Sequence, residues 1–204
     1  MTSAVSLHDA ALAALASWTA PDLEQDHLRT TYVAYLDEHA DAMWRTCTPD
    51  HLTASLLVMT PEADQVLLTL HAKAGRWFQL GGHLEPGDDA LAEAALREGI
   101  EEGGIDALTL IGPGPLLLDA HPAPCRTVGA ERHLDVQYLA TTPPGGLPRV
   151  SEESIDVRWF AVDDLPPGCD GSVRALVAAG VRRLSAQASS LESPRLAAVE
   201  NPSR

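Results

Sequence analysis

The stretch from Gly81 to Ile105, GGHLEPGDDALAEAALREGIEEGGI, constrains this chain more than any other. It reads as a glycine turn, an acidic helix start, one amphipathic helix and a glycine stop. Asp88 and Asp89 are placed to cap the helix, because carboxylates accept hydrogen bonds from the free N–H groups of a first turn. Ala90 to Glu102 holds strong helix formers interrupted by Gly99, and Gly103-Gly104 ends the run. Glu98, Glu101 and Glu102 stand at i, i+3 and i+4, which sets three carboxylates on one helix face.

Like charges at that spacing repel, so a helix built only for stability gains nothing from them. An acidic, solvated face is the ordinary reading of an arbitrary E-x-x-E-E run. Here the run follows a Gly-Gly pair at fixed distance and carries Arg97 beside Glu98. A hard divalent cation, Mg2+ or Mn2+, turns the repulsion into a ligand set. Such ions take oxygen ligands and keep positions open for water and substrate phosphates.

With these residues in view, the stretch resembles the Nudix box, G-x5-E-x7-R-E-U-x-E-E-x-G-U with U apolar. The second half matches as Arg97-Glu98-Gly99-Ile100-Glu101-Glu102-Gly103-Gly104-Ile105. Counting back from Arg97, the first acidic position falls on Asp89, an Asp where the family has Glu. The first glycine then falls on His83, so the loop from Gly82 to Asp89 reads one residue longer than the pattern. Gly99 occupies an apolar slot, and the sequence offers no reason for it.

The chain has 204 residues, enough for one domain with an appended helical segment, and 45% of them are hydrophobic, enough for a core. A formal charge of −15 argues against a nucleic-acid polymer as partner, since phosphate backbones attract Lys/Arg-rich faces. An anionic substrate must then be received by bound cations and a local set of Arg and Lys. No apolar run reaches membrane-spanning length and no basic-apolar leader opens the chain, so a membrane partner is not expected. Cys47, Cys125 and Cys169 are scattered without a C-x-x-C pair, which suits reduced thiols in a cytoplasm.

Residues 1–50 read as an N-terminal helical extension. One helix is expected over Ala4–Trp18 with Ser6 as cap, and a second over Asp22–Trp44. Packing on the core is the better reading of the pair, with partner binding as the other. Strands are expected at Leu52–Met59, Gln65–His71, Trp77–Leu80, His133–Ala140 and Ile155–Ala161, with a kinked apolar stretch over Leu108–Leu118. Ser172–Ala188 reads as a closing helix and residues 188–204 as a polar, disordered tail. The pattern indicates an α/β/α arrangement around a mixed sheet. The resemblance implies the same sandwich over residues 51–187, and it leaves open a homodimer formed through the N-terminal helices.

The resemblance also implies roles. Glu98, Glu101 and Glu102 are the metal ligands, with the Gly82 carbonyl a further candidate and Arg97 a positioning residue, to which Glu93 could pair at i, i+4. Glu153, with Glu152 as its neighbour, resembles the additional glutamate that acts as general base or extra ligand in some members. His83, Arg76 and Trp77 are candidate substrate contacts, the first two for phosphate and the tryptophan for stacking on a base, with a surface charge as the ordinary reading of Arg76 and a core position as that of a strand tryptophan. Lys73, Arg126 and Arg132 are further candidate cations, each with an ordinary surface role as the alternative. His71, His83, His121 and His133 with Cys125 match no zinc-ligand spacing.

The implied activity is Mg2+- or Mn2+-dependent hydrolysis of a small-molecule diphosphate, nucleoside-linked, by activated water. The rival reading is a nucleotide sensor on the same fold that does not hydrolyse. Its usual signs are lost box carboxylates or an appended DNA-binding module, and the sequence has neither. An isopentenyl-diphosphate isomerase shares the fold but needs a cysteine that WFQLGGH does not supply.

Overall fold

The computed structural model describes residues 6–123, 128–143, 145–150 and 154–196, with side chains as far as Ser190. Two helices open it, α1 (Leu7–Ser17) and α2 (Leu23–Glu38). Each begins at a side-chain cap: Ser6 Oγ accepts from the Asp9 N–H at 3.1 Å, and Asp22 Oδ1 from the Gln25 N–H at 2.9 Å. The second helix ends at Glu38 with His39 as its C-cap, short of the expected Trp44, and the chain turns there through residues 40–46. Met43 is still buried, but from a turn.

The strands are β1 (Asp50–Met59), β2 (Gln65–His71), β3 (Arg76–Phe78), β4 (Leu80–His83), β5 (Thr109–Leu110), β6 (Leu117–Pro122), β7 (Arg132–Thr141) and β8 (Ser154–Ala161). Helix α3 (Leu91–Gly103) follows β4, and α4 (Gly171–Leu196) follows β8. Among the described residues all strand pairs are antiparallel except β1 with β7, which run parallel through ten residue pairs. On its other side β1 divides its partners. Its first half pairs with β4 and only Val58 and Met59 pair with β2. This division curls the mixed sheet and brings β4 under α3.

Alternation along β1 and β7 sorts the layers. Leu52, Ala54, Leu56 and Val58, with Leu134, Val136 and Tyr138, face one core shared with α3 and the N-terminal helices. Ala11, Leu15, Tyr32 and Leu36 belong to that same core, so α1 and α2 cover the domain. Gln25 docks α2 on β6, donating to the Leu118 carbonyl (3.0 Å) and accepting from its N–H (2.7 Å). Leu57, Met59 and Leu139 face the second core, under α4.

Both flanking helices approach the sheet at a glycine. A β-carbon on Gly99 of α3 would run into the side chain of Leu56, and one on Gly180 of α4 would lie 2.7 Å from Leu57 Cδ2. That explains the glycine in the apolar slot: α3 sits too close to β1 for a larger residue.

Helix α4 continues past the expected end at Ala188. Residues 189–196, read from sequence as polar tail, are helical. Ser189 and Ser190 return their hydroxyls to the carbonyls of Ser185 and Ala186 (3.0 and 2.9 Å), so polar residues are accommodated without leaving the helix. No described helix is long and apolar enough to cross a membrane.

Candidate active site

Gly81 and Gly82 are a strand here, where a turn was expected, lying opposite Ser55 and Ala54 of β1. Above them α3 presents its acids. Glu102, 7% exposed, accepts a hydrogen bond from the Gly81 N–H at 2.9 Å. Glu98 lies against Gly82, where an added β-carbon would come within 2.7 Å of the carboxylate carbon and Oε1. Glu101 stands at the solvent rim, its side chain 60% exposed. The three acids of the sequence pattern therefore divide: two, one helical turn apart, face β4, and the third looks outward.

Arg97 holds this corner together. Its Nε and Nη2 donate to the two oxygens of Asp88, both at 3.0 Å, and Nη2 also reaches the His83 carbonyl at 3.0 Å. Nη1 donates to Glu98 at 3.0 Å and to Glu101 at 3.3 Å. The fork clamps loop, strand and helix at once, a geometry that suits guanidinium. The Asp88 pairing raises the Arg97 pKa still further above its ordinary value. Burial would raise the Asp88 carboxyl, but hydrogen bonds from Arg97 and the Glu85 N–H outweigh it and hold it below the ordinary carboxylate value.

This pairing corrects the register counted from sequence. The acid that meets Arg97 is Asp88, and Asp89 is exposed. Gly82-x5-Asp88 keeps the box spacing, so the additional residue falls between Asp88 and the helix. Nor do the two aspartates cap α3. Its N-cap is Ala90, without a side-chain bond, because Asp88 accepts from Glu85 N–H at 2.7 Å and closes its own loop. Glu93 is not among the partners of Arg97, whose donors are directed to Asp88, His83, Glu98 and Glu101.

The donor set fits a hard divalent cation. It offers carboxylate oxygens, one of them on a buried side chain, beside a glycine cradle that a β-carbon would fill.

A family model described as NUDIX domain matches residues 49–179, well over half of the chain. The chain belongs to the Nudix hydrolase family. A NUDIX-family hydrolase from Clostridium perfringens is similar at 25% identity and a TM-score of 0.54, over 67% of this chain and 97% of that one. A C. elegans Ap4A hydrolase is similar at 20% identity and a TM-score of 0.52, over 68% and 98%. An E. coli dihydroneopterin triphosphate pyrophosphohydrolase is similar at 20% identity and a TM-score of 0.50, over 62% and 91%. No match was found among curated proteins.

In this Nudix hydrolase the remaining sequence candidates are dispersed. Arg76 bonds the Gly168 carbonyl (3.2 Å) and Asp170 (3.3 Å) in the approach to α4. Trp77 packs edge-on against Phe160, ring centroids 4.7 Å apart, beside the second core. Arg132 pairs with Asp50 at 2.6 Å, and Lys73 is exposed on the β2–β3 turn. Glu152, Glu153, Cys125 and Arg126 lie outside the described residues. The His83 ring stacks on His51 and meets His133 edge to face. Burial first, then the charges of His51 and Arg45, lower its pKa to about 4.

Sequence reasoning passed over a polar wall on the sheet. His51, Thr53 and Ser55 of β1 lie in register with His133, Asp135 and Gln137 of β7, all buried. Asp135 accepts from Thr53 and Ser55 (both 2.9 Å) and from Gln137 (3.1 Å). Its burial raises its pKa, while the His121 charge and these hydrogen bonds oppose the rise. The signal was present as polar alternation in HLTAS and HLDVQ, inside strands otherwise buried on both faces.

Proposed function

We propose that this enzyme hydrolyses a diphosphate linkage in a nucleoside diphosphate-type small molecule, with Mg2+ or Mn2+ held by Glu98 and Glu102. The observation that carries the proposal is the convergence of those two carboxylates on Gly81-Gly82, with Arg97 fixing Glu98 from behind. When bound, the cation supplies charge neutralisation for the diphosphate and activation of the attacking water.

The chain's own residues do the positioning. Arg97 has its donors directed to Asp88, His83, Glu98 and Glu101, which makes it a positioning residue. Asp135 holds Ser55, the strand neighbour of Gly81, and so steadies the backbone N–H that orients Glu102. Glu101, at the rim, and the Gly82 carbonyl complete the proposed ligand set. Glu153 is proposed as the general base.

The C. elegans neighbour is an Ap4A hydrolase and the E. coli neighbour a pyrophosphohydrolase of dihydroneopterin triphosphate. At their identity they share the fold with this chain, and the phosphoanhydride substrate is inferred from the carboxylate pair. The strongly negative chain suits a small substrate received through a cation better than a nucleic-acid polymer. Free thiols at Cys47 and Cys169 suit a cytoplasmic location.

Phosphorus NMR on a panel of nucleoside and non-nucleoside diphosphates, with Mg2+ or Mn2+, tests the reading. Cleavage of one compound class that is lost in Glu102→Gln is expected, as is loss of turnover with preserved metal affinity in Glu153→Gln. Metal-dependent nucleotide binding without cleavage of any compound would replace the hydrolase with a sensor.

A further inference from the structure

We infer that His51, His83 and His133 form a second metal site, for a divalent transition metal with Zn2+ first, chemically distinct from the carboxylate site. Three strands deliver the rings to one place. His51 and His133 are register partners on parallel β1 and β7, and His83 closes β4 opposite Thr53. One nitrogen from each of the three rings lies within 4.8 Å of the others.

The spacing is that of ligands. His51 Nε2 and His83 Nε2 are 3.3 Å apart. Two nitrogens on a tetrahedral zinc, each about 2.0–2.1 Å from it, are separated by roughly 3.3–3.4 Å. Ring centroids of His51 and His83 stand 4.9 and 5.1 Å from that of His133. His133 is 7% exposed, and its Nε2 is buried with no hydrogen-bond partner among the described residues. A lone imidazole nitrogen inside a cluster of other imidazoles is a position a metal satisfies.

Arg45 acts on all three rings and Asp50, itself paired with Arg132, acts on His51; Asp119 and Asp135 act on the neighbouring His121, whose ring lies 5.3 Å from that of His133. His121 donates through Nδ1 to Asp119 at 2.9 Å and borders the three-nitrogen group without belonging to it. Donor chemistry separates the two sites: imidazole selects zinc-like ions, whereas the carboxylates near Gly82 select Mg2+ or Mn2+. Three protein ligands leave a fourth tetrahedral position open. A bound ion would tie together the ends of β1, β4 and β7 and so hold the strand that carries Gly81 and Gly82.

Spacing along the sequence concealed this group. His71 instead accepts from the Ala74 N–H at 3.2 Å, and His51 takes its place beside His83 and His133.

The test is a Co2+ titration of the chelator-treated full chain, followed by visible absorption, with Zn2+ as competitor and elemental analysis for stoichiometry. The expected result is one equivalent per chain with a tetrahedral Co2+ spectrum, displaced by Zn2+ and retained in Glu98→Gln. Outer ligand partners alone cost about 10–100-fold in metal affinity, so His133→Gln should weaken binding by at least about 100-fold. His83→Asn, at a half-buried position, should do the same, and circular dichroism confirms that each variant is folded. A wild type that binds no stoichiometric metal, or a tetrahedral spectrum that survives in a folded histidine variant, overturns the proposal. Either result leaves the assignment of Mg2+ or Mn2+ to Glu98 and Glu102 standing, because the two ligand sets share no side chain.

Discussion

Replacing Asp88 by alanine tests the architecture of the site most sharply, because the sequence count and the structure disagree about that position. Asp88 is 6% exposed at its side chain and Arg97 22%, and two donors of the guanidinium meet the two carboxylate oxygens. Removing one partner of a buried ion pair costs about 3–5 kcal/mol. Arg97 keeps Glu98, Glu101 and the His83 carbonyl, so about 2–3 kcal/mol is expected for Asp88→Ala. For a chain of this size that lowers Tm by roughly 4–12 °C. Asp89→Ala, at an exposed position, should stay within about 0.5 kcal/mol of wild type. Urea unfolding with unchanged m-value measures both. The pH dependence carries a matching sign. The folded Asp88 carboxyl lies below its ordinary value, so its contribution is present above the unfolded-chain value of about 3.9 and is lost as pH falls through the lower folded value. Asp88→Ala should therefore flatten the acid limb of the stability profile. Equal effects at the two aspartates, or no loss at Asp88, would refute the assigned register.

Two glycines give opposite kinds of outcome. In Gly82→Ala the new β-carbon meets the Glu98 carboxylate, so kcat should fall by about 100-fold or more while the far-ultraviolet circular dichroism is unchanged; wild-type turnover would mean that Glu98 is not held there. Gly99→Ala gains about 1 kcal/mol of helix propensity but overpacks Leu56 at about 1–3 kcal/mol, so chemical denaturation should show net destabilisation. A more stable variant would show that Leu56 yields freely.

The box was legible because a helix turns spacing into geometry: Glu98 and Glu102 at i, i+4 must share a face, and they do. The acidic partner of Arg97 was not legible in the same way, since it comes from a loop whose path depends on where α3 begins. Counting through that loop gave Asp89, whereas the chain folds Asp88 back on Glu85. Gly99 had no meaning until Leu56 stood against it. Arg76 and Trp77 were candidates by nearness to the glycines in sequence, yet strand alternation and the β3–β2 pairing carry them to Asp170 and Phe160. The histidine group is the clearest case, because His51 and His133 meet through parallel register between strands about 80 residues apart and His83 joins them through the antiparallel β1–β4 pairing, which no local spacing encodes.

The central claim is that Glu98 and Glu102 hold the cation that hydrolysis requires. Mn2+ titration followed by electron paramagnetic resonance, on wild type, Glu98→Gln and Glu102→Gln, tests it with turnover of the same samples. The account predicts that Mn2+ binding and hydrolysis fall together in both variants, by at least about 100-fold in turnover, while the folded state persists. Full Mn2+ affinity and turnover in either glutamine variant would contradict it.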